Sequence, residues 1–146
     1  MTPRIVLGDW RRLRDDAQQV RVEVFVAEQK VPLELEWDEM DALSVHAVAY
    51  DERGMPVATG RLLPDGHIGR MAVRRPMRGR GIGAAVLQAL IAEAARRGDA
   101  AVALNAQIRA EAFYTRFGFV REGMEFIEAG IPHIAMRRPL QGSRST

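Results

Sequence analysis

The sequence predicts one α/β (α+β) domain, and three observations carry that prediction. The chain has 146 residues, 47% hydrophobic and 27% charged, which suits a single globular core. Short apolar runs bounded by Gly, Pro and Asp alternate with stretches of helical periodicity. The best helical stretch, over 84–97, lies between two strand-like runs, so those strands can lie parallel with the helix as crossover. Tight turns join the earlier strands, which must then be antiparallel.

Ile5, Val6 and Leu7 read as a first strand, stopped by Gly8 and Asp9. Leu13, Ala17, Val20, Val24 and Ala27 recur every three or four residues and predict an amphipathic helix over 10–27. Val20, Val22, Val24 and Val26 weaken it, because β-branched side chains lose rotamer freedom in a helix, and Pro32 blocks its extension. A long acidic connection follows over 28–44. Strands over 45–50, 57–63 and 67–73, separated by Asp-, Gly- and Pro-rich turns, predict an antiparallel meander. Residues 74–83 are a basic, glycine-rich loop. Val86, Leu87, Leu90, Ile91, Ala94 and Ala95 then make the apolar stripe of a helix over 84–97, stopped by Gly98. A short buried strand over 101–104, a short helix over 109–117 and strands over 119–127 and 133–140 complete the order β-α-β-β-β-α-β-α-β-β, with a turn at 129–132. Residues 141–146 read as a flexible tail, leaving 1–140 as the domain.

Composition narrows the function classes. With no cysteine there is no disulfide, thiolate nucleophile or thiolate metal site. Twenty-one basic against nineteen acidic residues leave a net charge of +2, small for a nucleic-acid binder. No apolar run approaches the roughly 18–20 residues that span a bilayer, and no export signal opens the chain. A cytoplasmic address is expected, with no membrane and no nucleic-acid partner. Three widely spaced histidines predict no metal site.

The most informative segment runs from Met71, Ala72 and Val73 through Arg78, Gly79, Arg80, Gly81, Ile82 and Gly83 to Ala84. A strand ends, three glycines alternate with larger residues, and a strong helix begins. Glycines let backbone amides turn inward, and the helix N-terminus adds about half a positive charge. Phosphate or diphosphate fits such a cradle. It is not a Walker loop, because Ala84 and Ala85 stand where Lys and Ser/Thr would be. Nor is it a dinucleotide fingerprint, which opens a βαβ unit early in the chain. The remaining pattern, Gln/Arg-x-x-Gly-x-Gly/Ala, is met by Arg78, Gly81 and Gly83.

With this loop, the strand before it, and the later run Ala110-Glu111-Ala112-Phe113-Tyr114-Thr115-Arg116-Phe117-Gly118-Phe119, the chain resembles the GNAT N-acetyltransferase superfamily. Val24 to Gln29, Asp38 to Asp41, Gly60-Arg61-Leu62 and Gly130 to His133 further resemble its small ElaA-like or YjcF-like bacterial branch. The resemblance implies a mixed six- to seven-stranded sheet with helices on both faces, and transfer of acetyl from acetyl-CoA to a primary amine in a ternary complex. It implies that Met71, Ala72 and Val73 pair with pantetheine as an added strand, that Arg78 to Ala84 hold the diphosphate, and that Gln107 stands where relatives carry an Asn contact. It also implies a homodimer as one possible assembly.

Tyr114 is then the general acid toward the departing thiolate, with core packing beside Phe113 and Phe117 as the alternative. His133 and Glu28 are candidate bases for the amine; Glu36, Asp38, Glu39, Asp41 and His46 are weaker ones, His46 reading rather as a satisfied core residue. Five acids between Glu34 and Asp41 read equally as an acidic mouth for a cationic amine or as a solvated loop, with Asp38 or Asp41 capping a turn. Trp10 reads as helix-start packing, Trp37 as an acceptor wall, and Met71 and Met77 as packing. Two other functions stay open: an acyl-CoA sensor without turnover, and a basic nucleic-acid module.

Overall fold

The computed structural model describes residues 3–33 and 38–140. Glu34, Glu36 and Trp37, and the tail 141–146, lie outside the described residues. The strands form two antiparallel sheets. The first has the order β1 (Arg4–Gly8), β2 (Val45–Tyr50), β3 (Pro56–Leu62), β4 (Ile68–Val73), so the expected meander is present. In the second, β8 (Ile131–Pro139) pairs with β5 (Ala101–Gln107) from Gln107↔His133 to Ala101↔Pro139, and also with β6 (Val120–Arg121) and β7 (Phe126–Glu128).

A single parallel bridge, His67↔Ala103, joins the two sheets, supported by the Ala103 N–H donating to the Gly66 carbonyl at 3.1 Å. Beyond it, β4 and β5 do not pair among the described residues. The sheet is therefore continuous at one end of β4 and open at the other.

Helices cover both faces. Alternate residues of β2 point in opposite directions. Val48 and Tyr50 pack with Leu13 and Ala17 of α1 (Trp10–Arg21), whereas Ala47 and Ala49 pack in the main core with α2 (Ile82–Arg96). Val86, Leu87, Leu90, Ile91 and Ala94 of α2 are buried there, as their spacing predicts. Gly60 on β3 is required by this packing: a Cβ would lie 2.5 Å from Met71 Sδ and 3.0 Å from Leu90 Cδ1.

Several boundaries differ from the sequence reading, each for a local reason. The α form ends at Arg21, and the chain continues as a wider π-helical turn over Val22–Glu28, closed by the Gln29 N–H donating to the Val24 carbonyl at 3.0 Å. Val22, Val24 and Val26 lie in this widened turn, where β-branched side chains oppose tighter α winding. The strand expected over 119–127 is two short strands, β6 and β7, because Gly123 takes φ +89° between them. The turn at 129–132 narrows to Ala129 and Gly130, both with positive φ, so Ile131 and Pro132 belong to β8. β5 runs three residues beyond its expected end at 104, because its pairing with β8 continues through Gln107↔His133 and Ala106 keeps the buried alternation of Val102 and Leu104. α2 begins at Ile82, and the short helix divides into a 3₁₀ turn, Ile108–Ala110, and α3 (Glu111–Thr115).

Candidate active site

The glycine loop follows the open end of β4. Gly79 and Gly81 have φ of +80° and +78°, the left-handed region that glycine alone enters without strain. A Cβ on either would meet nothing within 4 Å. Gly83 is needed for a different reason: its Cβ would come within 3.3 Å of Val73 Cγ2 and 3.9 Å of Phe113 Cζ, where α2, β4 and α3 converge.

The amides decide what this loop can bind. The Arg78 N–H donates to the Arg75 carbonyl at 3.2 Å, and the Ala85 N–H donates to the Gly81 carbonyl at 3.1 Å. Between them, the N–H groups of residues 79–84 meet no acceptor among the described residues. The first turn of a helix cannot satisfy its own amides. An anion of diphosphate size can.

β4 presents its unpaired edge beside this loop. The β3–β4 register slips between Thr59 and Arg61, and Arg70 takes φ +50°, so β4 carries a bulge opposite Gly60. Bulges re-aim a strand and increase its twist, which helps β4 to part from β5.

Tyr114 lies on α3. Its ring meets Phe113 edge-on at 5.1 Å and Phe119 at 6.0 Å, and burial pushes the phenol up to about 12. The ring is thus packed, yet the hydroxyl has no protein partner among the described residues.

His133 is buried at the start of β8, opposite Gln107, and stacks on Phe126 at 5.8 Å. Its Nδ1 lies 2.6 Å from the Ile131 carbonyl, which can only accept, so Nδ1 carries the proton. In the tautomer that this bond selects, the lone pair lies on Nε2 and is left for another group.

Glu28 ends the π-helical turn and grips the loop. Its two oxygens accept from Arg78 Nη1 and Nη2 at 2.7 Å each, and Arg75 Nη2 lies 3.3 Å away. These bonds, Arg78 first, hold its carboxyl below the ordinary glutamate range. The Gln107 amide is also engaged: Nε2 donates to Gln29 Oε1 at 3.1 Å, and Oε1 accepts from Arg109 Nε at 3.2 Å.

Two acids of the connection are held by arginines. Asp41 is buried and receives Arg21 through Nη1 and Nη2 at 2.9 and 3.1 Å, and Arg61 Nη1 at 2.8 Å. Asp38 receives Arg61 at 2.7 and 2.8 Å and Arg70 at 3.2 Å, and its carboxyl falls to about 2, chiefly through the Arg61 bonds. Asp38 also caps the turn Glu39–Leu43 by accepting the Met40 N–H at 3.0 Å. His46 donates through Nε2 to the Asp41 carbonyl at 2.8 Å, and desolvation lowers its pKa; it is a satisfied core residue. Trp10 packs against His46 at 4.7 Å, and Met71 and Met77 pack against the main core.

The sequence reading placed Arg75 in the basic loop without giving it Glu28 as a partner, and it missed Gln29 as the partner of Gln107 and Arg21, Arg61 and Arg70 as partners of the acids. Arginine abundance was the only available signal, and it does not say which acid each arginine meets. Among the described residues no His, Asp and Glu grouping is placed to hold a metal, and no helix is long and apolar enough to cross a membrane.

Among the described residues, an unpaired β4 edge in a split sheet lies beside a run of amides without acceptors at a helix N-terminus, an arrangement that fits an extended, anion-bearing ligand. The chain belongs to the GNAT acetyltransferase family: the family model described as "Acetyltransferase (GNAT) domain" matches residues 13–140. It is 42% identical over 127 residues to the "Uncharacterized N-acetyltransferase YjcF" of Bacillus subtilis (strain 168), covering 84% of this chain and 90% of that one. Among solved structures, an acyl-CoA N-acyltransferase from Pseudomonas aeruginosa superposes with TM-score 0.84 at 33% identity, covering 94% of this chain and 99% of that one. Escherichia coli ElaA superposes with TM-score 0.84 at 26% identity over the same shares.

Proposed function

We propose that residues 1–140 form one acyltransferase domain that moves an acetyl group from acetyl-CoA to a primary amine by direct attack in a ternary complex. The observation that carries this reading is the set of 79–84 amides without acceptors, next to the unpaired edge of β4. In this reading the amides and Arg78 hold the diphosphate, the backbone of Met71, Ala72 and Val73 pairs with pantetheine, and the Gln107 strand end faces it from β5.

The chemistry then needs few side chains. A β4 N–H steadies the negative charge that develops on the thioester oxygen. The amine nitrogen attacks the thioester carbon, the C–N bond forms, and the C–S bond breaks. His133 Nε2 takes the amine proton, directly or through one water, and passes it to solvent. Glu28 is the second candidate base, its carboxylate held by Arg78 and Arg75 in the protein without CoA. Tyr114 stays neutral at working pH and donates a hydrogen bond to the departing sulfur; with a pKa near 12 it steadies the thiolate without surrendering its proton outright. The absence of cysteine is no obstacle, because no acyl-enzyme forms, and it suits a reducing, cytoplasmic setting.

The test combines CoA calorimetry with thiol release from acetyl-CoA across a panel of amines: amino acids, polyamines, amino sugars and peptide N-termini. CoA binding with amine-dependent thiol release supports the reading. Binding without turnover across the panel makes the protein an acyl-CoA sensor. No binding by the folded protein removes the proposal.

A further inference from the structure

The open end of the β4–β5 gap is crossed by a continuous chain of contacts. Arg78 Nε donates to the Val73 carbonyl, the last of β4, at 2.9 Å. The same guanidinium is held by both oxygens of Glu28 at 2.7 Å. The next residue, Gln29, accepts at 3.1 Å from Gln107, the last of β5. Two adjacent residues at the end of the π-helical turn thus tie one lip of the gap to the other. The Arg74–Glu23 pair at 2.9 Å fastens the same turn to the loop further back.

The Glu28 carboxylate sits where an anion is wanted. Its two oxygens against the two Arg78 nitrogens form the parallel fork that guanidinium also offers to phosphate. Water reaches the pair, with the Arg78 side chain 39% and the Glu28 side chain 20% exposed, so it can exchange. The Arg78–Val73 bond, meanwhile, engages a carbonyl that an added strand on β4 would seek.

We propose that Glu28 and Gln29 form a latch across the cofactor entrance, which CoA opens by taking Arg75 and Arg78 away from Glu28. The inference rests on the acetyl-CoA reading above and adds an order to it. The cofactor enters first, and Glu28, released from its arginines, then faces the gap as an unpaired carboxylate when the amine arrives. A tie that merely braced the fold would stay closed with CoA bound.

Stopped-flow CoA binding to the wild type, Glu28→Gln and Gln29→Ala decides between these, with thermal melts to show that each is folded. In the wild type the observed association rate should level off at high CoA, limited by latch opening. Both variants should bind faster, with the levelling lost, and Glu28→Gln should bind CoA at least threefold tighter. Gln29→Ala changes no charge, so its faster association separates an opened latch from simple removal of a repulsive carboxylate. A wild-type rate in Gln29→Ala, or no tighter binding in Glu28→Gln, overturns the latch while leaving the acetyltransferase intact. Absence of CoA binding in all three folded proteins overturns the acetyl-CoA reading itself, and the latch with it.

Discussion

Gly81→Glu separates the fold of the loop from its use. Gly81 sits at φ +78°, where a side chain costs about 1–2 kcal/mol, and its Cβ would point into open space. The new carboxylate lies at the N-terminus of α2, where the helix dipole returns about 0.3–1 kcal/mol. The net destabilisation is therefore about 1 kcal/mol, a fall in Tm of about 3 °C for a chain of this length. Binding should respond very differently. If the carboxylate displaces two charge-assisted amide–phosphate bonds, each worth about 1.5–3 kcal/mol, CoA affinity falls by about 3–6 kcal/mol, or roughly 10²–10⁴ in Kd. Calorimetry with CoA, beside a thermal melt, reads both quantities. Near-wild-type Kd in a folded Gly81→Glu variant would refute the placement of the loop.

Three further outcomes follow from the geometry. Tyr114→Phe should leave Tm and CoA affinity unchanged, because the hydroxyl has no protein partner, and slow thiol release with the best amine about 10²-fold; unchanged turnover returns the ring to packing alone. Asp41→Asn replaces the buried carboxylate that Arg21 and Arg61 share with a neutral amide and should cost about 3–5 kcal/mol by urea unfolding; a loss below about 1 kcal/mol would show the network to be dispensable. His46 has its folded pKa below 6.5, chiefly through desolvation, so its contribution to stability is full above pH 6.5 and is lost as pH falls from there toward the folded value. Urea titrations at about pH 7.5 and 5.5 should show lower stability at the lower pH, with the loss diminished in His46→Gln; an equal loss in the variant would assign the titration to another group.

Features set by neighbours in sequence were legible. The α2 stripe, the meander turns and the strand–glycine–helix run each express a local rule, and each lies where that rule puts it. The π-helical turn was half legible: the valines signalled trouble with α winding without saying that the chain would widen rather than stop. Contacts between distant segments were not legible. Asp41 meets Arg21 and Arg61 across separations of 20 residues, and Glu28 meets Arg78 across 50. With twenty arginines in the chain, composition could not choose among partners. The run of acids therefore read equally as a substrate mouth or as a solvated loop, and neither reading showed that Asp41 is buried between two arginines. Tyr114 and His133 stood out by motif and position, but the unengaged hydroxyl and the tautomer fixed by the Ile131 carbonyl became visible only in three dimensions.

The central claim is that the amides of residues 79–84 hold the diphosphate of CoA. A crystal structure of the protein with CoA tests it directly. The account predicts at least three of these N–H groups within about 3.2 Å of diphosphate oxygens, with pantetheine alongside Met71, Ala72 and Val73. CoA bound elsewhere, with those amides facing solvent, would contradict it.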